Sequence, residues 1–440
     1  MRAHVSQRLV VALHGRPRPR ARVLVAALPP QSAAYDYSVV AVPRTVPDGV
    51  WTQADGELVK AASRESDAGP PAGEEEETRK PTALLGMSRD QLTRFAVSEG
   101  QPAFRGKQLY EALYSKERPL HSLDEISTLP ADWRASFASR GIIVGRSSVH
   151  ARAESSDGTT KLLLKLSDGR VVETVGIPAE ESNRKRLTVC ISSQVGCPMR
   201  CTFCATGKGG FARNLQTHEI VDQVLHIEEL FGRRASHIVY MGMGEPCLNL
   251  RHVLASQRSL NEDVGISARS ITISTVGVPN ALAKLATAGL QSTLAVSLHA
   301  PDQATRERII PSAKAYPLHE LLKDCVAYNA ATGRRITFEY TLLAGVNDSE
   351  AQARQLAALL SSYGLQSHVN VIPYNPVADS AFDRPSNNAC RRFVDMLTAS
   401  GCGASVRRTR GSDAAAACGQ LRNEYQSRTG PVAGRALAGS

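Results

Sequence analysis

The sequence contains no apolar run that approaches the roughly 20 residues a membrane-spanning helix needs. It also lacks the dense, even set of cysteines typical of small disulfide-bonded secreted domains, because only 9 cysteines are spread over 440 residues. Aromatic residues make up only 5% of the chain, so an aromatic platform for nucleobase stacking is not expected. These scarcities argue against a membrane-spanning protein and a disulfide scaffold, and they favour a reducing compartment.

What the sequence does have is length and positive charge. With 440 residues, of which 42% are hydrophobic, it can build a large core, and we expect two folded domains with tails. The formal net charge of +10 suits a polyanionic partner such as a nucleic acid, although charge alone identifies none.

Acidic residues are absent from the first 35 positions, and the first one is Asp36. An Arg- and Ala-rich composition without acids is typical of an organelle transit peptide, which we place at residues 1–50. A basic arm that touches nucleic acid is the alternative. Residues 51–82 include a run of four glutamates and are predicted to be a disordered linker, and residues 422–440 a flexible tail. The arginines among the first 35 residues are Arg2, Arg8, Arg16, Arg18, Arg20 and Arg22.

Residues 83–150 are predicted to form a small helical accessory domain, a candidate for binding the polyanionic partner. Ser88 opens a Ser-Arg-Asp-Gln pattern that predicts a capping box at a helix start. Further along, apolar side chains recur at helical spacing and define one buried face. That face consists of Leu109, Tyr110 and Leu113.

Two basic residues, Arg105 and Lys107, lie near the start of the helix predicted at 104–114. They are candidates for contact with RNA phosphates, and such contacts would make binding depend on salt. A solvated helix end is the alternative for both.

Residues 151–185 are predicted to form a connecting hairpin. Asp168-Gly169 is a typical two-residue turn, and the return strand runs from Val171 to Val175 with Glu173 inside it. A strand carboxylate of this kind is most often solvated. The first strand is marked by the alternation of Leu162, Leu164 and Leu166.

Strands and amphipathic helices alternate through residues 186–421. Six such units predict an α/β fold with a parallel sheet, in the form of a partial (β/α)6 barrel that carries its ligands at the carboxyl ends of the strands. The predicted strands are 187–192, 237–242, 270–275, 292–299, 335–342 and 368–373. The predicted helices are 216–231, 249–260, 278–288, 318–330, 349–362 and 387–399.

Three cysteines, Cys197, Cys201 and Cys204, follow the first of these strands at a spacing of three and then two residues. Three thiolates can hold three irons of a 4Fe–4S cluster and leave the fourth iron open, whereas four-cysteine sites close the cluster for electron transfer. Zinc is the alternative, with Cys190 or His218 as a fourth ligand, but its sites usually combine two separated ligand pairs.

The other strand ends carry glycine or polar residues. The second strand ends in Met-Gly-Met-Gly-Glu-Pro, where glycine lets a ligand approach the backbone and Glu245 could bind an ammonium group. Each of these ends could equally be an ordinary turn. The third strand ends at Ser274, the fourth at Ser297, Leu298 and His299, and Asn375 follows the sixth.

The cysteine triplet, with Phe203 directly before its last member, resembles the radical S-adenosylmethionine superfamily. Over roughly residues 83–425 the chain further resembles the RlmN family, dual-specificity 23S rRNA and tRNA adenine-C2 methyltransferases related to the Cfr resistance methyltransferase. The blocks that carry this resemblance are Cys190 to Asn214, Met241 to Asn249, Ser297 to Pro301, Phe338 to Asp348 and Val406 to Leu421.

The resemblance implies a mechanism that uses two molecules of S-adenosylmethionine per turnover. The first methylates a cysteine that corresponds to Cys418. A radical formed from the second removes a hydrogen atom from that methyl group, and the resulting methylene radical adds to carbon 2 of adenine. A cysteine that corresponds to Cys190 then releases the product and leaves a disulfide, while Glu173 corresponds to the proton acceptor. The cluster ligands would be Cys197, Cys201 and Cys204.

The resemblance also implies the contacts of S-adenosylmethionine and leaves four cysteines structural. The structural ones are Cys247, Cys325, Cys390 and Cys402. The cofactor contacts would be Gly244, Glu245, Ser274, Ser297, Leu298, His299 and Asn375.

Three alternatives differ in chemistry. A Cfr-like enzyme would methylate carbon 8 of adenosine with the same cofactors and cysteines. A catalytically inactive RNA-binding metalloprotein would not need Cys190 and Cys418. A radical enzyme for a small metabolite would leave the basic accessory domain unexplained.

The expected partners are large-subunit rRNA, possibly tRNA, and an electron donor such as ferredoxin or flavodoxin. We expect a monomer without a membrane partner. The expected location is an organelle, a chloroplast rather than a mitochondrion, or else the cytoplasm.

Overall fold

The computed structural model describes residues 51–54, 57–60, 81–115, 119–181, 184–378 and 380–421. Residues 1–50 and 422–440, predicted to be a transit peptide and a tail, lie outside the described residues. Strands β1 (Trp51–Ala54) and β2 (Glu57–Lys60) pair antiparallel in a unit separate from the rest of the chain. This hairpin differs from the disordered linker predicted there, and the Asp-Gly pair between the two strands is its sequence signal.

The second unit begins with a small helical part that has its own hydrophobic cluster. Ser88 caps the first helix in a complete capping box with Gln91, as predicted. Leu109 and Leu113 are buried in the cluster and Tyr110 packs against it. The elements are β3 (Thr82–Ala83), α1 (Arg89–Ser98), α2 (Phe104–Leu113), α3 (Ala131–Ser139) and β4 (Ile142–Ile143).

Three antiparallel strands follow, β5 (Ser148–Glu154), β6 (Thr160–Lys165) and β7 (Val171–Glu181). The hairpin predicted from the leucine alternation corresponds to β6 and β7. It is more than a connection, because β7 pairs antiparallel with β8 and thereby extends the main sheet. Sequence periodicity missed β5 because most of its side chains are exposed.

The main sheet has ten strands in the order β16-β15-β14-β13-β12-β11-β8-β7-β6-β5, and its strands from β8 to β16 run parallel. The sheet is open, with β5 and β16 at its edges. All six predicted strands occur, and β16 is a seventh parallel strand. The parallel strands are β8 (Arg184–Cys190), β11 (His237–Tyr240), β12 (Ile271–Thr275), β13 (Thr293–Ser297), β14 (Ile336–Leu342), β15 (Ser367–Pro373) and β16 (Ala404–Val406).

Each parallel strand from β8 to β15 is followed by helix, which confirms the α/β architecture with six strand–helix units. Between β8 and β11 lie a short hairpin, β9 (Gln194–Gly196) and β10 (Phe211–Asn214), and a one-turn helix, α4 (Ala205–Lys208). The remaining helices are α5 (Thr217–Phe231), α6 (Leu250–Glu262), α7 (Ala281–Thr287), α8 (Gln303–Ile309), α9 (Leu318–Thr332), α10 (Glu350–Ser362) and α11 (Asn387–Ala399).

The core lies between the sheet and these helices. Buried strand residues such as Val189, Ile238 and Val296 pack against helical residues such as Ile220 and Leu321. The helix α8, which the sequence did not predict, buries Arg306 and Ile309 below the strand ends. Across the described helices, none combines the length and hydropathy needed to cross a membrane.

Candidate active site

The hairpin of β9 and β10 brackets the loop that carries the three cysteines of the triplet. The amide of Cys197 donates to the carbonyl of Gly210 over 2.8 Å, which closes the loop at its base. Gly196 is required there, because a Cβ atom on it would lie 2.0 Å from the same carbonyl oxygen. Cys201 is buried, and Cys197 and Cys204 are half-buried. All three line one cavity at the carboxyl ends of the parallel strands.

The chemistry of this thiol set suits a cationic group. Burial raises the pKa of Cys197 and Cys201, and the neighbouring thiols raise both further. Thiolates in this position therefore need a positive charge between them, which iron supplies. Among the described residues, no group of three Cys, His, Asp or Glu side chains is positioned to hold a single metal ion. In a cluster each thiolate binds its own iron.

The end of β11 supplies a glycine and a carboxylate to the same cavity. Gly244 has φ of 106°, and a Cβ atom on it would lie 2.6 Å from the Cβ of Gln194. The buried carboxylate of Glu245 accepts from the amides of Cys247 and Val276, both over 2.9 Å. Burial nevertheless raises its pKa. An ammonium group in the cavity would neutralise this carboxylate.

The ends of β12 and β13 add hydroxyl groups and a histidine. Ser274, Ser297 and His299 line the cavity, and the two serine oxygens lie 3.5 Å apart. His299 has φ of 60°, and its Nδ1 accepts from the amide of Thr341 over 2.8 Å. Burial lowers the pKa of His299 to about 3, so its ring is neutral. Leu298 is buried in the core rather than in the cavity wall.

Cys190 and Cys418 lie close enough to interact electrostatically, although they are 228 positions apart in the chain (418 − 190). Cys190 ends β8 and is buried, while the exposed surface of Cys418 faces the cavity that it lines. Burial raises the pKa of Cys190 to about 12, and the neighbouring Cys418 adds to this rise. Burial also raises the pKa of Cys418, and Arg407 opposes it.

Glu173 lies in β7, beside β8, and is buried with 1% of its surface exposed. Its Oε2 lies 3.5 Å from Nζ of Lys161, and Lys161 also donates to the carbonyl of Ala415 over 3.0 Å. Glu173 lines a second cavity with Gln420 and Ala205, next to the one that Cys418 lines. The alternative of a solvated strand carboxylate therefore does not hold for Glu173, and its role as proton acceptor stays a prediction.

Asn375 follows β15 and does not line the cavity itself. Its side-chain amide donates to the carbonyl of Cys418 over 3.1 Å, and its Oδ1 accepts from Arg384 over 2.8 Å. Asn375 therefore holds the backbone of the cysteine segment.

Three residues of the site were missed in the sequence. Gln194 accepts from the amide of Glu245 over 2.8 Å, and Arg306 donates to the carbonyl of Val276 over 2.5 Å from its buried position. Arg407 lies near both Cys190 and Cys418 and favours their ionised forms. Only Arg407 had a sequence signal, since a basic residue in the same block as Cys418 is typical of a reactive thiol.

Comparison with known proteins shows which family the chain resembles. A model of the Radical SAM superfamily matches residues 191–357. A probable dual-specificity RNA methyltransferase RlmN from Thermosynechococcus vestitus is 57% identical over 339 residues, which cover 77% of this chain and 98% of the relative. A relative of the same name from Acaryochloris marina is 56% identical, with 77% and 94% covered.

Among solved structures, a radical SAM methyltransferase from Sphaerobacter thermophilus is similar in fold and sequence. The TM-score is 0.73 at 40% identity, and the alignment covers 78% of this chain and all of the other.

Proposed function

We propose the function of this chain from the premise that it belongs to the RlmN family of dual-specificity RNA methyltransferases. It is a radical SAM RNA methyltransferase that uses one 4Fe–4S cluster with three cysteine ligands and two molecules of S-adenosylmethionine per turnover. We assign the cluster ligands to Cys197, Cys201 and Cys204, which line one cavity. The observation that supports the assignment of the reaction is the position of Cys418 in that cavity, within electrostatic reach of Cys190.

The proposed product is 2-methyladenosine. Carbon 2 of adenine is electrophilic, so polar methyl transfer from a sulfonium would join two electron-poor centres. Bound to the cluster, S-adenosylmethionine supplies a 5′-deoxyadenosyl radical, which makes a radical route available. In this chain Glu245 would hold the ammonium group of the bound cofactor, since its carboxylate is buried at the cavity wall.

Cys418 would carry the methyl group on its sulfur, and Glu173 would take the proton from carbon 2 of the adduct. The Cys190 thiolate then attacks the Cys418 sulfur. Before this attack the adduct must also lose one electron, which the bound cluster would accept. The bond between the Cys418 sulfur and the transferred carbon then breaks, and its electron pair stays with that carbon. The carbon takes up a proton and becomes the methyl group of the product, while Cys190 and Cys418 are left joined in a disulfide. Arg407 favours the thiolate that this step needs. An external reductant must return two electrons and two protons to the disulfide before the next turnover.

The proposed substrates are large-subunit rRNA and tRNA, with the helical domain at residues 83–150 as the RNA-binding part. The proposed electron donor is ferredoxin or flavodoxin, and the enzyme would act as a monomer. Chloroplast targeting by residues 1–50 rests on their basic composition alone. Fusion of these residues to a fluorescent protein would test it.

The test of function is anaerobic. The full chain is reconstituted with iron and sulfide and incubated with S-adenosylmethionine, a reductant and unmodified rRNA and tRNA, and the digested RNA is measured by mass spectrometry. We expect 2-methyladenosine and 5′-deoxyadenosine, and loss of 2-methyladenosine in Cys418→Ala. Formation of 8-methyladenosine would indicate the Cfr-like reaction. Bound zinc with neither product would indicate a binding protein.

A further inference from the structure

The segment that leads to Cys418 is held by the turn between β5 and β6. Asp413 accepts from the Ser155 hydroxyl and from the amide of Ser156, the latter over 3.0 Å. Asp157 accepts from the amide of Gly411 over 3.1 Å. Three residues of the turn thus contact the segment: Ser155 and Ser156 through the Asp413 carboxylate, and Asp157 through the backbone of Gly411.

Two further contacts make the fit close. Gly411 has φ of 71°, and a Cβ atom on it would lie 2.7 Å from the Thr159 methyl carbon. Lys161, at the start of β6, donates to the Ala415 carbonyl over 3.0 Å and lies 3.5 Å from Glu173. Lys161 therefore joins the cysteine segment to the carboxylate proposed as the base.

On its other side the segment is held by the cysteine loop. The amide of Ala205 donates to the Gly419 carbonyl over 2.8 Å, and the Thr206 hydroxyl donates to the Leu421 carbonyl over 2.6 Å. Cys418 thus lies between two anchored stretches. These contacts come from elements more than 200 positions away in the chain, so local sequence cannot hold the segment by itself.

We propose that residues 155–161 form a clasp that fixes the segment 411–415, and that Asp413 is its principal positioning residue. The clasp holds Cys418 at the cavity and next to Cys190. Its importance for catalysis rests on the proposed function, because it matters there only if Cys418 is the methyl carrier. Loss of the clasp should free the segment while the sheet keeps its structure.

The test uses the thiol of Cys418 in the full-length protein before reconstitution, under anaerobic conditions. Its alkylation by iodoacetamide is followed by mass spectrometry of the peptide. In Asp413→Ala the rate should rise about tenfold, since a charge-assisted hydrogen bond to the segment is lost. In a second assay, diamide oxidises Cys190 and Cys418 to a disulfide and is itself reduced to the hydrazine. Disulfide formation should slow in the same variant.

Ser155→Ala removes the other partner of the same contact and should give the same direction of change. Asp413→Glu, which keeps the charge, should restore part of the slow alkylation. The matched control is Glu154→Gln, because Glu154 is exposed, pairs with Arg152 and precedes the clasp by one residue. It should leave both rates unchanged.

If alkylation of Cys418 and disulfide formation both proceed within about twofold of the wild-type rates in Asp413→Ala and in Ser155→Ala, the proposal of a clasp is wrong. If Asp413→Ala does not fold by circular dichroism, Ser155→Ala decides the question. Neither thiol assay measures methylation, so a clasp that holds Cys418 in a protein that makes no 2-methyladenosine would reject the proposed function and leave the clasp standing.

Discussion

Single side chains of this protein acquire their chemistry from contacts that the sequence does not show. Glu173 is the clearest case, because the sequence places it in a strand where carboxylates are usually solvated, and the fold buries it beside Lys161. The residues that make contacts at strand ends were largely predictable, since Gly244, Glu245 and His299 occur in recognisable blocks. Gln194 and Arg306 were not, because their roles depend on backbone atoms from other strands.

For Glu173→Gln we expect the rate of 2-methyladenosine formation to fall by a factor of about 10² to 10⁴, as is typical when a general base is removed. Methylation of Cys418 itself should continue, and a covalent complex of RNA and protein should accumulate. Quenched-flow assays and denaturing gels would measure both. Product release at the normal rate would contradict the assignment, and Glu154→Gln serves as the exposed control.

For Gly244→Ala we expect at least a tenfold loss of S-adenosylmethionine affinity, measured by equilibrium dialysis with the reconstituted protein. The added Cβ would strain a backbone with φ of 106° and would lie 2.8 Å from the Gln194 amide nitrogen. Gly401→Ala is a control for backbone strain alone, because Gly401 has φ of 80° with open space around it. Equal affinities in wild type and Gly244→Ala would contradict the prediction.

At the scale of elements, apolar periodicity was a good guide where a strand or helix has one buried face. The six central strands and one helix after each of them were predicted, and α5 and α10 agree with their predicted ranges to within one residue. Short elements escaped, since β16 has three residues and α8 has seven. The polar surface of β5 gives no alternation, and so the sequence suggested a connection where the sheet continues.

One element contact predicts how stability depends on pH. Helix α5 meets the end of the helical part through Asp222, whose side chain is 1% exposed and bonds to Arg146 and the Ser147 amide. Burial by itself would raise the pKa of Asp222, but hydrogen bonding by His226 and the charge of Arg146 lower it overall. The ionised Asp222 therefore stabilises the folded protein at pH values above the pKa of an unfolded aspartate, about 3.9, and this stabilisation is lost as the pH falls below that value.

We expect Asp222→Asn to lower the free energy of unfolding by about 1–3 kcal/mol at pH 7, because Arg146 and the Ser147 amide lose a charged, buried partner while Glu229 still pairs with Arg146. The variant should also lose part of the fall in stability that is expected for the wild type below about pH 4. Urea unfolding followed by circular dichroism at several pH values would measure this. Asp132→Asn, at an exposed position in α3, should change little; an equal effect of both substitutions would contradict the prediction.

For the whole molecule, a net charge of +10 predicts RNA binding that weakens steeply with salt. The two candidate phosphate contacts separate in the structure. Arg105 donates to the Thr128 carbonyl over 2.6 Å, so it is engaged within the fold. Lys107 has 56% of its side chain exposed and pairs with Glu111 over 3.5 Å.

We therefore expect Lys107→Glu to weaken RNA binding and to reduce the slope of log affinity against log salt by about 1. Arg105→Glu should instead lower thermal stability, because it breaks a contact inside the helical part. Filter binding between about 50 and 200 mM salt would measure the salt slope of RNA binding, and thermal unfolding would measure the loss of stability. An unchanged slope of log affinity against log salt in Lys107→Glu would contradict the proposed contact between Lys107 and an RNA phosphate.

The wall that Cys418, Gly419 and Leu421 add to the cavity has a consequence for biosynthesis. A ribosome makes the chain from its amino terminus, so the three cysteines near residue 200 are translated more than 200 codons before this wall. Until then the cavity is open on that side. With the proposed assignment, iron and sulfide would have a route to the thiols while the chain is being made, and translation of the proposed methyl carrier, Cys418, would enclose them.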